Sequence, residues 1–174
     1  PVVGHANPVV VQAMTKQASI LNTHTRYLHE NVVAYAEQLL ALFPSELNRA
    51  VFTCTGSEAN DLALRIAHEV TGRRGVIVTQ NAYHGVTSEL ADMSPSLRPV
   101  AEHVEVVPAP TCLSGTPAEI AASFAAHVDE AAQRLAAKGF PVCALMVDTV
   151  FASDGLYIPS QGVLAAAAQA VRKH

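Results

Sequence analysis

The sequence has no tryptophan, few aromatic residues and little charge. Aromatic residues make up 5% and charged residues 15% of the 174 positions, and the formal net charge is −4. Lysine and arginine are scattered, so the basic patch that attracts nucleic acid or an anionic membrane is missing. No apolar run approaches the roughly 20 residues of a membrane-spanning helix. Neither nucleic acid nor a membrane is therefore expected as a partner.

Cysteine is also scarce, and the histidines form no recognisable metal pattern. Cys54, Cys112 and Cys143 lie far apart without a CxxC pair, which favours reduced thiols in a cytoplasmic protein. His24 and His29 are five positions apart, a poor match to a helical pair of metal ligands. We expect cytoplasmic localisation and no metal site.

What the sequence does contain is enough apolar residues for a core, since half of its residues are hydrophobic. A chain of this length buries roughly 70% of its unfolded surface when compact. Apolar spacing and turn residues predict the following elements: helices 8–19, 30–43, 57–70 and 117–138, a last helix to the end, and strands 50–54, 75–79, 104–107 and 142–147. Pro95 and Pro99 suggest that residues 86–100 are irregular.

Strands and helices alternate from residue 50 onward. This pattern predicts an α/β layered domain with a mostly parallel sheet. We therefore expect a helical and loop segment at 1–48 and the α/β domain at 49–174. The abrupt beginning and end suggest a segment of a longer protein.

A Thr-Gly-Ser turn joins the predicted strand 50–54 to the following helix. The backbone N–H groups of Gly56 and Ser57, with the hydroxyls of Thr55 and Ser57, would lie at the positive end of that helix. Such a point suits a phosphate group. A capped strand-to-helix turn with no ligand is the alternative, and the sequence here matches neither the P-loop nor the GxGxxG pattern.

A second turn, Ala82-Tyr83-His84-Gly85, follows the next predicted strand. An aromatic side chain at the C-terminal end of a strand suits a flat ring stacked upon it. An ordinary half-buried aromatic residue at a strand end is the alternative for Tyr83. Together, the two turns indicate a ligand that combines a phosphate with an aromatic ring.

Five segments, in this order, resemble the class III (ω-type) pyridoxal-phosphate-dependent aminotransferases over nearly the whole chain. These are Gly4-His5-Ala6-Asn7-Pro8, Asn22 to Leu28, Thr55-Gly56-Ser57-Glu58-Ala59-Asn60, Ala82-Tyr83-His84-Gly85, and Val147-Asp148 to Gly155 with Pro159. The resemblance implies part of the large domain of a fold-type I enzyme with pyridoxal 5'-phosphate as cofactor. It also implies a homodimer that moves an amino group between an amine or amino acid and a keto acid or aldehyde.

The resemblance also implies roles for individual residues. Thr55, Gly56 and Ser57 would hold the cofactor phosphate, Tyr83 would stack on the pyridine ring, and Asp148 would lie near the polar edge of the ring. His84 is included with its motif without a separate role. Arg26 is a candidate for binding a substrate carboxylate, and a surface arginine is the alternative.

The sequence departs from the family pattern in two respects. Asp148 stands where the family usually has Glu, and the loop after it lacks the usual proline; both features resemble a subgroup near alanine–glyoxylate aminotransferase and the amino-alcohol-phosphate phospholyases. In addition, Lys16, Lys138 and Lys173 do not match the lysine that bonds the cofactor, and the aspartate for the pyridinium nitrogen is missing.

We therefore expect the 174-residue chain alone to be inactive, with no catalytic residue in this segment. Two other functions stay open. One is a pyridoxal-phosphate-dependent phospholyase acting on a phosphorylated amino alcohol, and the other is a non-enzymatic module that binds a phosphate ligand.

Overall fold

The computed structural model describes residues 2–24 and 26–174. They form two compact units that divide between Val51 and Phe52. The first contains α1 (Pro8–Ala18) and α2 (Glu30–Leu40). Asn7 caps α1 by accepting a hydrogen bond from Val9 N, as the Asn-Pro pair predicts.

The predicted helix 30–43 is confirmed, but α2 is shorter than expected. Phe43 N donates to Leu40 O at 3.0 Å, and Leu42 N donates to Leu39 O at the same distance. These bonds span three residues instead of four, so the chain tightens before Pro44 and leaves the α-helix.

The second unit contains a three-stranded parallel sheet with helices between its strands. Its elements are α3 (Gly56–Thr71), β1 (Gly75–Thr79), α4 (Ser88–Asp92), β2 (Val104–Val107), α5 (Pro117–Ala137), β3 (Val142–Leu145) and α6 (Val163–Val171). The strand order is β2-β1-β3, and both pairings are parallel. The predicted α/β class with a parallel sheet is confirmed.

β1 is buried on both faces and separates two apolar clusters. Ile77 packs in the cluster with Phe124 of α5 and Val163 of α6. Val76 and Val78 belong to the other cluster, with the side chains of α3 and α4. Alternation of side chains along a strand thus produces three layers, helix on sheet on helix.

The longest described helix, α5, is fixed at its start and along its exposed face. Thr116 and Glu119 form a capping box at its N-terminus. Arg134 and Lys138 both contact Glu105 of β2, at 2.7 and 2.6 Å. Neither α5 nor any other helix within residues 2–24 and 26–174 is long and apolar enough to cross a membrane.

The predicted strand at 50–54 is wrong, because no strand forms there in the described chain. Cys54 N and Thr55 N both donate to Glu58 Oε2, at 2.7 and 3.1 Å. Thr53 Oγ1 donates to Thr55 O at 2.9 Å. The polar groups of this segment therefore form hydrogen bonds at the N-terminus of α3. A strand also needs a neighbouring strand to pair with, and the described residues provide none here.

Two other predicted boundaries need correction. The segment 86–100 is not wholly irregular, because α4 occupies Ser88–Asp92. β3 ends at Leu145, earlier than the predicted residue 147, and the chain then enters a loop that contains a short 3₁₀ turn at Ala152–Asp154.

Candidate functional site

The N-terminus of α3 has a complete capping box and still leaves N–H groups for a ligand. Thr55 Oγ1 accepts from Glu58 N at 3.1 Å, and Glu58 in return accepts from Thr55 N. Gly56 N and Ser57 N precede the first residue with an intrahelical acceptor, and neither has an acceptor in the described part of the chain. The space beside Gly56 is open, because a Cβ atom built on this residue would have no neighbouring atom within 4 Å. An anion can therefore approach these two donors.

Three side chains from the first two turns of α3 hold the segment that follows β1. Ser57 Oγ accepts from Val86 N at 3.2 Å. Asn60 Nδ2 donates to the carbonyl oxygen of His84 at 2.8 Å, and Asp61 accepts from the hydroxyl of Thr87 at the same distance. The predicted phosphate turn and the predicted aromatic turn are thus in contact.

The aromatic turn presents Tyr83 outward between two buried neighbours. Ala82 is 3% exposed and His84 9%, whereas Tyr83 is 49% exposed. The backbone on either side is fixed, because His84 N donates to Ser94 Oγ at 3.1 Å and Ala82 O accepts from Ser96 Oγ at 2.9 Å. The phenol ring is therefore available for stacking on a held backbone.

His84 carries a buried imidazole whose Nε2 has no hydrogen-bond partner in the described residues. Burial lowers the pKa of this histidine, and the charges of Asp148 and Asp154 with a hydrogen bond to the Met146 backbone oppose that effect. The net lowering favours the neutral ring near pH 7. The ring therefore provides a nitrogen without a partner in the described residues, and the charges of Asp148 and Asp154 act on it electrostatically.

Two carboxylates lie in the loop after β3, and the sequence predicted only one of them. Asp148 accepts from Val150 N at 3.0 Å and Ala152 N at 2.7 Å, so it shapes its own loop. Asp154 accepts from Thr79 Oγ1 at 2.6 Å and from Asn81 N at 3.0 Å. The one sequence signal for Asp154 was an Asp-Gly pair, which is typical of a turn.

The structure therefore brings Gly56, Ser57, Tyr83 and His84 together near the C-terminal end of β1, and the acidic loop reaches the same place through Asp154. Arg26 belongs to the first unit. Its backbone N and its Nε both lie 3.2 Å from His24 Nδ1, and its predicted role stays a prediction.

Solved structures identify the class of fold. A phospholyase from Arthrobacter in complex with phosphoethanolamine matches 98% of this chain and 42% of its own, with a TM-score of 0.84 and 39% identity. A PMP-bound aminotransferase from Vibrio fluvialis matches 95% of this chain and 40% of its own, with a TM-score of 0.73 and 23% identity. The fold is that of the fold-type I pyridoxal-phosphate-dependent aminotransferases.

The family follows from the sequence comparison. The family model described as aminotransferase class-III matches residues 2–174, and the chain belongs to that family. A Drosophila melanogaster protein named alanine–glyoxylate aminotransferase 2-like is 34% identical over 98% of this chain and 37% of its own length. An acetylornithine aminotransferase from Mycobacterium leprae is 30% identical over 99% of this chain and 40% of its own. The chain thus spans about two fifths of these relatives, and the predicted family is confirmed.

Proposed function

We propose that this chain binds the phosphate and the pyridine ring of pyridoxal 5'-phosphate in a class III aminotransferase. The observation that carries the proposal is the pair of N–H groups of Gly56 and Ser57, without protein acceptors in the described residues, at the start of a 16-residue helix. The hydroxyl of Ser57 lies beside them and fixes the turn that presents Tyr83.

These groups fit the two ends of the cofactor. Contacts of an anion with a helix N-terminus stabilise by about 0.3–1 kcal/mol each, and the Ser57 hydroxyl, which accepts from Val86 N, still has its hydrogen to donate. Thr55 supports this end as the cap of α3. Tyr83 would stack on the ring. His84 and Asp148 would lie toward its polar edge, with the imidazole able to donate or accept a proton at Nε2.

The chemistry of amino-group transfer would come from the bound cofactor, which acts as an electron sink. The residues of this chain would bind and orient it. We propose an amine or amino acid and a keto acid or aldehyde as substrates, with Arg26 as a carboxylate contact, and a cytoplasmic homodimer as the working form.

The chain alone is proposed to lack this activity. The family chemistry needs a lysine that bonds the cofactor, and none of the three lysines follows the C-terminal end of a strand in the part of the chain that the structure describes. Lys16 lies in α1, Lys138 lies between α5 and β3 and contacts Glu105, and Lys173 follows α6. Turnover of an amine and a keto acid by the purified 174-residue chain would contradict this proposal.

A phospholyase acting on a phosphorylated amino alcohol is the second candidate. It is favoured by the identity of 39% to the Arthrobacter phospholyase, against 23% to the Vibrio aminotransferase. A Caenorhabditis elegans protein named ethanolamine-phosphate phospho-lyase homolog 1 is 40% identical over 53% of this chain. Release of inorganic phosphate from phosphoethanolamine, without a keto-acid acceptor, would identify this reaction in the protein that carries the chain.

The binding proposal can be tested with 4'-deoxypyridoxine 5'-phosphate, which lacks the aldehyde and cannot bond to a lysine. We expect saturable binding to the chain by calorimetry, weakened about tenfold by Ser57→Ala and by Tyr83→Leu. Ser160→Ala removes an exposed serine and serves as the control without effect.

Two outcomes would contradict the proposal. Absence of binding to the wild-type chain would exclude a pre-formed cofactor site. Equal affinity for the analogue and for inorganic phosphate, unchanged by Tyr83→Leu, would instead support a module that binds phosphate alone.

A further inference from the structure

The loop from Asp148 to Tyr157 has a fixed shape. Phe151 is fully buried and adopts a left-handed backbone with φ of 46°. Its ring packs edge-on against Phe124 of α5, with centroids 6.3 Å apart. Tyr157 N donates to Val150 O at 2.8 Å and closes the loop. A non-glycine residue persists in this backbone region only where its surroundings hold it, so the loop is a firm support.

Asp154 projects from this support to the end of the central strand. Its carboxylate accepts from Thr79 Oγ1 and from Asn81 N, partners that lie 75 and 73 residues away in sequence. Thr79 is 1% exposed, so its hydroxyl needs an acceptor within the protein. Hydrogen bonds to a charged acceptor are the stronger kind.

The segment after β1 is thus held from two sides. Asp154 fixes its beginning at Thr79 and Asn81, and α3 fixes its end through Asn60 and Ser57. Tyr83 and His84 lie between the two attachments. Their orientation relative to the N-terminus of α3 therefore depends on both.

We propose that Asp154 is a positioning residue that sets the orientation of the Tyr83-His84 turn against the phosphate-binding end of α3. The ligand part of this inference rests on the proposed function, whereas the mechanical part concerns this chain alone. Asp154 acts through Thr79 and Asn81 and touches neither Tyr83 nor the N-terminus of α3 in any described hydrogen bond.

The charge of Asp154 can be separated from its geometry. The carboxylate raises the pKa of His84 together with Asp148, against the larger effect of burial. Asp154→Asn removes that charge but keeps an oxygen that accepts from Asn81 N. Asp154→Ala removes both, and Thr79→Val removes one hydrogen bond while it leaves the carboxylate in place.

The mechanical part is tested without a ligand, by amide hydrogen exchange followed residue by residue in the purified chain. We expect Asn81 and Ala82 to exchange about tenfold faster in Asp154→Ala and much less so in Asp154→Asn. Val78 of the central strand is the internal reference for global stability. Asp129→Ala removes an acidic side chain of α5 that contacts His174 and should leave Asn81 unchanged.

The ligand part is tested by calorimetry with two probes. Asp154→Ala should lower the affinity for 4'-deoxypyridoxine 5'-phosphate about tenfold. It should change the affinity for inorganic phosphate less than about twofold, since Gly56 and Ser57 remain in place. Asp154→Asn should recover most of the affinity for the analogue. Thr79→Val should lie between the wild type and Asp154→Ala, and it replaces Asp154→Ala if that variant does not fold.

The outcomes separate the two proposals. If the amide of Asn81 exchanges at the wild-type rate in Asp154→Ala, Asp154 does not have the positioning role. The same conclusion would follow if Asp154→Ala lowered the affinities for the analogue and for inorganic phosphate equally. Failure of the wild-type chain to bind the analogue would overturn the proposed function, while the exchange experiment would still decide whether Asp154 holds the turn.

Discussion

Ser57 and Gly85 approach each other so closely that no side chain fits between them. A Cβ atom built on Gly85 would lie 2.6 Å from Ser57 Oγ and 2.6 Å from Leu90 Cδ1, and the φ angle of Gly85 is 142°. The helix that offers its N-terminus to an anion and the turn that carries Tyr83 therefore meet at a position where glycine is required by both space and backbone conformation.

Gly85→Ala should destabilise the chain by about 2–4 kcal/mol, because it adds steric overlap to backbone strain. Gly155→Ala is the matched control, since Gly155 has φ of 114° but nothing within 4 Å of its Cβ position. It should cost only about 1–2 kcal/mol. Urea unfolding of both variants measures the difference, and equal losses would show that close approach to Ser57 contributes nothing.

Asn60 should prove structural even though it lies beside the candidate phosphate site. Its side-chain amide donates to His84 O at 2.8 Å across a partly buried contact. Asn60→Ala should cost about 1–2 kcal/mol of unfolding free energy. Asn60→Asp should cost more, because it places a carboxylate against a carbonyl oxygen. If urea unfolding shows that Asn60→Asp lowers the free energy of unfolding less than Asn60→Ala does, the amide is not a donor to His84.

Local chemistry explains which parts of the fold the sequence predicted well. Gly72 has φ of 66° and ends α3, and Pro117 occupies the first turn of α5. Each signal acts on its own neighbours and needs no tertiary contact. The Thr-Gly-Ser turn belongs to the same class, which is why the start of α3 lies at the predicted turn; its binding of an anion stays a prediction.

The failed predictions depended on partners distant in sequence. Ala50 to Phe52 has the composition of a strand, but a strand exists only with a neighbour in a ladder, and the polar groups at Thr53 to Thr55 serve the helix cap instead. Asp154 was missed because its partners, Thr79 and Asn81, are more than 70 residues away. Local patterns contain no information about such pairs.

The chain has two capping boxes of the same kind, and comparing them distinguishes an effect on stability from an effect on ligand binding. Thr55 caps α3 beside the candidate phosphate site, and Thr116 caps α5. Replacing either threonine by alanine should cost about 1 kcal/mol of unfolding free energy. Only Thr55→Ala should also lower the affinity for 4'-deoxypyridoxine 5'-phosphate, because it loosens the turn that orients Gly56 N and Ser57 N.

The comparison needs two measurements on each variant, urea unfolding and calorimetric titration. If Thr116→Ala lowered the affinity for the analogue as strongly as Thr55→Ala, the loss of affinity would reflect lower global stability and not the geometry of α3. The Thr55 hydroxyl would then have no specific connection with the ligand.

Stability should fall as the solution is acidified below about pH 6.5, the ordinary pKa of histidine. Burial lowers the pKa of His84 in the folded chain, so the unfolded chain binds more protons between the folded pKa and 6.5. The free energy of unfolding therefore rises with pH in that window. The contribution of His84 is complete above the unfolded pKa and is lost as pH falls through the folded one.

His103 contributes in the same direction, because burial and the charge of Arg74 lower its pKa. Urea unfolding between about pH 5 and pH 8 should show a positive slope that His84→Gln and His103→Gln each reduce. Asp154→Asn should steepen the slope, since removing a nearby carboxylate lowers the pKa of His84 further. An unchanged slope in Asp154→Asn would mean that this carboxylate does not act on the imidazole, and that burial, Asp148 and the hydrogen bond to the Met146 backbone set the pKa of His84.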